Sequence, residues 1–294
     1  MVNVSTSLPL QVVNVCGLGA WTHQSRRGVS RAWAMTYVDV MSGFVVHELS
    51  AGLRIQVTRT MPDLSAALDK DVERLWRTAC SRVAAGGAGA LFNGRVFSAD
   101  VIAPDAITGH LTEFRRIVAQ MEQPPLFGAL GVRPLAVCGV LRCADGVVFG
   151  RRHAGAIYQA DMWQLPPAGS VDANAVGLDG AVALERQLIS ELREELGLAA
   201  ADVDAPVPLC VVEHPDSHVC DLGMALRCRL DGDAVRAAHA GRGNGEYPTL
   251  RIVPVEDLPE FIAEAAATMV PPALVFLARA GLLALAKQID PGRR

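Results

Sequence analysis

Between Ala181 and Leu198 four leucines, Leu184, Leu188, Leu192 and Leu196, recur at every fourth position. That period places them on one stripe of an α-helix. A stripe of this kind has to be covered by a sheet or by other helices, so the segment predicts a helix packed on a core. Asp179 stands at its start and Gly197 near its end, where a glycine lets the chain leave the helix sharply. The chain has the material for that core: 294 residues with 51% apolar side chains can fill two compact units.

The same helix carries three carboxylates. Glu191 and Glu195 lie one turn apart and Glu194 three residues from Glu191, so all three are expected on one side, beside the leucines. Like charges this close repel, and a hard divalent cation such as magnesium relieves the repulsion, taking carboxylate oxygens while keeping waters and substrate phosphates as further ligands. A solvated helix face has the same look, and spacing alone leaves both readings open.

With 20% charged residues and a formal net charge of −4, the chain has no overall attraction to a nucleic-acid polymer or to anionic lipid. A phosphate-bearing ligand therefore needs a local positive group or a metal. The seven cysteines are scattered, and runs such as Leu209-Cys210-Val211-Val212 read as reduced, buried thiols of a cytoplasmic protein. Leu10 to Trp21 is apolar, but no basic segment precedes it and Asn14 and Gly17 interrupt it, which argues against a secretory signal. Met269 to Ala286 contains Pro271-Pro272 and Arg279 and reads as a packed helix, not as a membrane span.

Prolines and glycines cluster between Gln120 and Pro134, which predicts a boundary between an N-terminal unit, 1–128, and a second unit, 129–294. In the first, Gly43–Thr58 suggests one or two strands, Leu64–Ala85 a helix capped by Asp63, Leu91–Ile102 a hairpin about Asn93-Gly94, and His110–Met121 a further helix. In the second, Pro134–Leu141 and Val147–Gly150 read as strands joined by a turn at Asp145-Gly146. The leucine helix follows, then strands at Val207–Val212 and Leu222–Arg229, a short helix near Ala234–His239, a strand at Leu250–Val255 and a closing helix after Pro271. The order implies a mixed sheet with helices on its faces.

Glu191-Leu192-x-Glu194-Glu195-x-Gly197-Leu198, preceded by Trp163-Gln164-Leu165-Pro166 and by Gly169, resembles the Nudix box: Gly, five residues, Glu, seven residues, Arg-Glu-aliphatic-x-Glu-Glu-x-Gly-aliphatic. Val147 to Arg152 is similar to the family's strand ending in basic residues, and Asp161 to Pro166 to the segment that leads into its glycine loop. The resemblance implies an α/β Nudix fold, a mixed sheet sandwiched by helices, here with an N-terminal α+β domain. It also implies a diphosphohydrolase using Mg2+ or Mn2+ held by Glu191, Glu194 and Glu195. Glu246, in the loop ahead of Leu250-Arg251-Ile252-Val253, would be the fourth catalytic carboxylate. Arg151, Arg152, Trp163 and Gly169 would line the substrate site, although Trp163 suits packing at least as well. Glu213, His214, Asp216, His218 and Asp221 crowd one junction and read either as a source of a further ligand or base or as a polar loop.

Two departures qualify the resemblance. Ser190 stands where the family has arginine, and the distance from Gly169 to Glu191 is longer than the pattern, with no glutamate at the upstream place. Arg186 is a candidate to orient the neighbouring glutamate in place of that arginine, and Asp172 or Asp179 to replace the upstream acid. Before the boundary, the runs at 71–76, 91–97 and 111–115 resemble the N-terminal extension of the uridine diphosphate glucose pyrophosphatase branch. The implied activity is hydrolysis of a nucleoside diphosphate linked to a sugar-like group, giving a nucleoside monophosphate and a phosphorylated product. The expected partner is a small nucleotide, with a homodimer compatible. The alternative is a catalytically altered relative that binds a nucleotide-type ligand or acts on a phosphorylated intermediate.

Overall fold

The computed structural model describes residues 43–86 and 90–283. The apolar stretch Leu10–Trp21 and Cys16 lie outside them. In chain order the elements are β1 (Val45–Glu48), β2 (Arg54–Val57), α1 (Ala66–Ala85), β3 (Arg95–Ile102), β4 (Ala106–Glu113), α2 (Phe114–Glu122), α3 (Phe127–Leu130), β5 (Leu135–Cys143) and β6 (Gly146–Arg151). They continue with β7 (Trp163–Gln164), β8 (Ala168–Ser170), α4 (Leu184–Leu196), β9 (Val207–Glu213), β10 (Cys220–Arg227), α5 (Gly232–Arg242), β11 (Thr249–Val253), α6 (Leu258–Ala265) and α7 (Pro272–Arg279).

The strands form two sheets. The larger runs β1-β9-β10-β5-β6-β11, parallel between β5 and β10 and antiparallel elsewhere, with β7 on β6 and β8 on β5. It is the expected mixed sheet between helices. Period-two alternation sends Leu135, Val137 and Leu141 of β5 to one face and Cys138 and Val140 to the other. The first face packs on Leu188, Leu192 and Leu196 of α4 and Val235 of α5, and the second on Leu258, Phe261 and Ile262 of α6 and Phe276 of α7.

The smaller sheet, β2-β4-β3, is α+β in character: Val96 of β3 packs on Ile117 of α2, and Val72 and Leu75 of α1 pack on Ala119 of α2. Its Ile55, Phe97, Ala99 and Ile107 enter the same core as the leucines of α4. β1 precedes the boundary expected at 128/129, yet it pairs with β9 in the larger sheet, Val45 opposite Glu213.

Several local readings change. The hairpin turn is not at Asn93-Gly94: β3 is one strand, and the chain reverses at Ala103–Ala106 to pair it with β4. Asn93 instead caps α2, its Oδ1 accepting the backbone N–H of Arg115. His110 lies on β4 with its ring on Asp100, so the helix expected from there begins four residues later. α1 is capped by Ser65 and not by Asp63. Asp179 closes a turn onto the Ala181 N–H, and α4 starts only at Leu184 because Val182 is drawn to the Ile55 carbonyl of the small sheet. Helix α6 was not expected at all.

Cys138, Cys143, Cys210, Cys220 and Cys228 are buried free thiols, and Cys80 is half-buried. No helix among the described residues is long and apolar enough to cross a membrane.

Candidate active site

Helix α4 ends at Gly197, whose φ of 66° is left-handed and whose missing Cβ would stand 2.6 Å from the Ala238 carbonyl of α5. With the leucines seated in the core, the next position round the helix is also turned inward. Glu195 is completely buried, its Oε2 accepting the Ala168 N–H at 2.9 Å and its Oε1 the Tyr247 hydroxyl at 3.4 Å. Burial pushes its carboxyl well above the usual range, and the charges of Glu246 and Glu191 add to the rise.

Glu191 is half-buried one turn earlier, and its Oε1 accepts Gln187 Nε2 at 2.7 Å. Burial raises its carboxyl to about 7; the Gln187 hydrogen bond opposes the rise, and the charges of Glu194, Glu246 and Asp172 support it. Gly169 lies directly beneath, since a Cβ there would stand 2.1 Å from Glu191 Oε1. Glu194 is exposed, accepts the Ser190 hydroxyl at 2.9 Å, and through its carbonyl receives the Asn244 N–H at 2.8 Å. That last bond ties the loop ahead of β11 to the helix and brings Glu246 into the group.

Arg152 is the cation among these acids. Its Nη2 lies 3.3 Å from Glu246 Oε1, and its Nη1 donates to Gln164 Oε1 at 2.7 Å. Gln164 Oε1 also accepts the Tyr247 hydroxyl at 3.1 Å. The His153 N–H to Glu246 carbonyl bond, 2.9 Å, fastens the end of β6 to the same loop.

The structure therefore brings together Glu191, Glu195, Glu246, Arg152 and Gly169, and leaves Glu194 on the outer side of the helix. It does not bring Arg151 to them: that guanidinium grips Asp161 with two bonds of 2.7 and 2.9 Å. Trp163 packs edge-on to Phe261 at 5.5 Å between centroids. Arg186 is exposed at the start of α4, and the partner of Glu191 is Gln187, one residue on, because position 187 is the full turn before Glu191. Ser190 does orient a carboxylate, that of Glu194, with a neutral donor where the resembled motif has a cation. Gln187, Gln164 and Tyr247 were missed. Gln164 was legible only as a neutral polar residue between Trp163 and Leu165, Gln187 as one a helical turn before Glu191, and Tyr247 as the neighbour of Glu246.

The crowded junction after β9 resolves into two networks apart from the acids. Glu213 is held by Arg133, His47 and His218, whereas His214 links Asp221, at 2.7 Å, to the Tyr158 hydroxyl, at 2.9 Å. Asp216 belongs to neither.

Among the described residues no three His, Cys, Asp or Glu side chains stand ready as a ligand set, so the three helix acids do not meet at one point as expected. The reason is their partners: Glu195 is held inward by Ala168 and Tyr247, and Glu194 outward by Ser190. In donor chemistry the group still fits a hard divalent cation, since its carboxylates offer oxygens and carry acid charge that Arg152 opposes.

No protein-family model matches the chain, and no curated protein matches it. Among solved structures it is similar to a hydrolase of the NUDIX family from Clostridium perfringens, 18% identical over 51% of this chain and 96% of that one, with a TM-score of 0.35. It is also similar to RenU, a Nudix hydrolase from M. smegmatis, at 16% identity over 53% of this chain and 91% of that one, TM-score 0.36. A third is a bifunctional NMN adenylyltransferase/ADP ribose pyrophosphatase from Francisella tularensis complexed with AMP and a manganese ion, at 14% identity over 55% of this chain and 48% of that one, TM-score 0.36. At identities this low, chemistry has to be read from the chain's own side chains.

Proposed function

We propose that this chain is a Nudix-type diphosphohydrolase of the cytoplasm that cleaves a nucleoside diphosphate linked to a second, sugar-like group, giving a nucleoside monophosphate and a phosphorylated product. One observation carries the reading: Glu246, from a loop about fifty residues later, is brought to Arg152 and close enough to Glu191 and Glu195 of α4 to raise both carboxyls, while Glu191 lies against Gly169.

Glu191, Glu194 and Glu195 would hold magnesium or manganese. Such an ion, when bound, withdraws charge from the diphosphate and acidifies a coordinated water. The chain's own groups do the rest. The Arg152 guanidinium, already oriented by Gln164, offers the remaining N–H groups of its two terminal nitrogens to diphosphate oxygens. Glu246, paired with Arg152 at 3.3 Å, accepts a proton from the attacking water. Gly169, lacking a Cβ, lets the Glu191 carboxylate lie directly against the backbone of β8. Arg151 reaches substrate only by exchanging Asp161, and Trp163 serves as a wall packed on Phe261. The sugar-like second group rests on the resemblance of the segments before residue 116 to the pyrophosphatase extension.

A magnesium-dependent screen of nucleoside diphosphate sugars, dinucleotides and nucleoside triphosphates, with Glu194→Gln as control, tests the reading. Metal-dependent turnover that Glu194→Gln abolishes is the expected result, and turnover that survives this substitution contradicts the metal assignment. The engagement of Glu195 by Ala168 and Tyr247 favours, as second reading, a nucleotide-binding protein without hydrolysis. Tight nucleotide binding with no turnover of any compound would select it.

A further inference from the structure

Gln187 is 6% exposed on a helix whose other inward residues are mainly leucines, and a buried amide there is costly unless both its ends are satisfied. Both are. Its Oε1 accepts the Asp172 backbone N–H at 3.2 Å, and its Nε2 donates to Glu191 Oε1 at 2.7 Å. These partners fix which way round the amide lies, because a carboxylate only accepts and a backbone N–H only donates.

Asp172 is itself anchored. Its carboxylate caps the turn Ala173–Ala175 through the Asn174 N–H at 2.7 Å, and it bridges to Val96 of the small sheet. The preceding Val171 is held between the sheets, its N–H on the Leu135 carbonyl and its carbonyl on the Phe97 N–H. A continuous line of hydrogen bonds thus runs from both sheets through Asp172 and Gln187 to one oxygen of Glu191. No described residue donates to the other oxygen, Oε2.

We propose that Gln187 is a positioning residue for Glu191: it occupies Oε1 and leaves Oε2 as the oxygen offered to a divalent cation. This inference rests on Glu191 being a metal ligand, as proposed above. A neutral amide suits the task, since it orients the carboxylate without cancelling the charge a cation needs, whereas an arginine at this place would do both. It also gives a use to the lengthened loop after Gly169, which supplies the Asp172 N–H.

The test is a titration of the full chain with Mn2+ alone, read by calorimetry or by loss of the free-ion spin signal, for the wild type, Gln187→Leu, Gln187→Met and Arg186→Ala. Both position-187 variants keep the bulk of the side chain and remove the donor, so one serves if the other does not fold. The expected result is Mn2+ affinity lowered about tenfold in the position-187 variants and unchanged in Arg186→Ala. For any diphosphate that is turned over, kcat should fall while KM stays near that of the wild type. A purely structural role would lower the melting temperature of the metal-free protein and leave the Mn2+ affinity alone. Wild-type Mn2+ affinity in a folded position-187 variant overturns the inference while the metal site stands. A wild type that binds no Mn2+ overturns the metal reading, and this inference with it.

Discussion

Gly169 and Glu191 are in direct apposition: a Cβ on the glycine would come within 2.1 Å of one carboxylate oxygen and 2.8 Å of the other. The atoms that would have to move are the far end of a side chain, so Gly169→Ala should cost the fold no more than about 1 kcal/mol. It should nonetheless displace the carboxylate and reduce turnover on the order of tenfold. Parallel melting and steady-state measurements check the pair of outcomes, and a variant as active as the wild type would show that the floor beneath Glu191 is unimportant.

Glu195 is a carboxylate with no exposure, destabilised by burial and by the acids around it. Glu195→Gln keeps the shape and removes the charge. The metal-free variant should melt at a higher temperature than the wild type while losing activity by on the order of a hundredfold or more. Calorimetric scans of the chelated proteins read the first effect and initial rates the second.

Glu191 gives the metal-free protein a pH dependence of definite sign. Burial raises its folded pKa to about 7, so the folded state holds this proton more tightly than the unfolded one. The resulting stabilisation is complete below the ordinary carboxylate value and is lost as pH rises through about 7. Melting temperatures taken in chelator between about pH 5 and about pH 8 should fall with pH, and Glu191→Gln should flatten that slope.

Glu213 works in the opposite sense. Burial alone would raise its carboxyl, but hydrogen bonds from His47, Arg133 and His218, together with the Arg133 charge, hold it well below the usual range. Its contribution is present above the ordinary glutamate value and disappears as pH falls through the depressed one. Glu213→Gln should therefore cost about 3 kcal/mol in urea denaturation at neutral pH, and the gap to the wild type should close in strong acid.

The parts of this molecule legible in the sequence are those that periodicity or a turn residue dictates. The leucines of α4 could pack in no other way, Asp145-Gly146 had to turn, and Gly197 had to end the helix. What could not be read depends on partners far along the chain. Asn93-Gly94 has the composition of a hairpin turn, but Asn93 is taken by the N-terminus of α2. β1 looked like part of an N-terminal unit because its antiparallel partner, β9, arrives more than a hundred and fifty residues later. Gln187 showed no sign of use, because its value lies in Asp172, which a lengthened loop carries back to it. The acids themselves were visible, but the inward set of Glu195 and the outward set of Glu194 follow from Ala168, Tyr247 and Ser190.

Strand β5 is bonded to β8 through Ala136, Val137 and Cys138 and to β6 only through Arg142 and Cys143, so along one side it changes neighbours. The sheet is split there, and the acids and Arg152 gather around the split. Its two lips belong to separate hydrogen-bond ladders, β5-β8 and β6-β7, joined by the short span from Gln164 to Ala168. Insertions or deletions in that span could reset the width of the opening without breaking either ladder. Inheritance can thus vary what the molecule grips while leaving untouched the architecture that folds it.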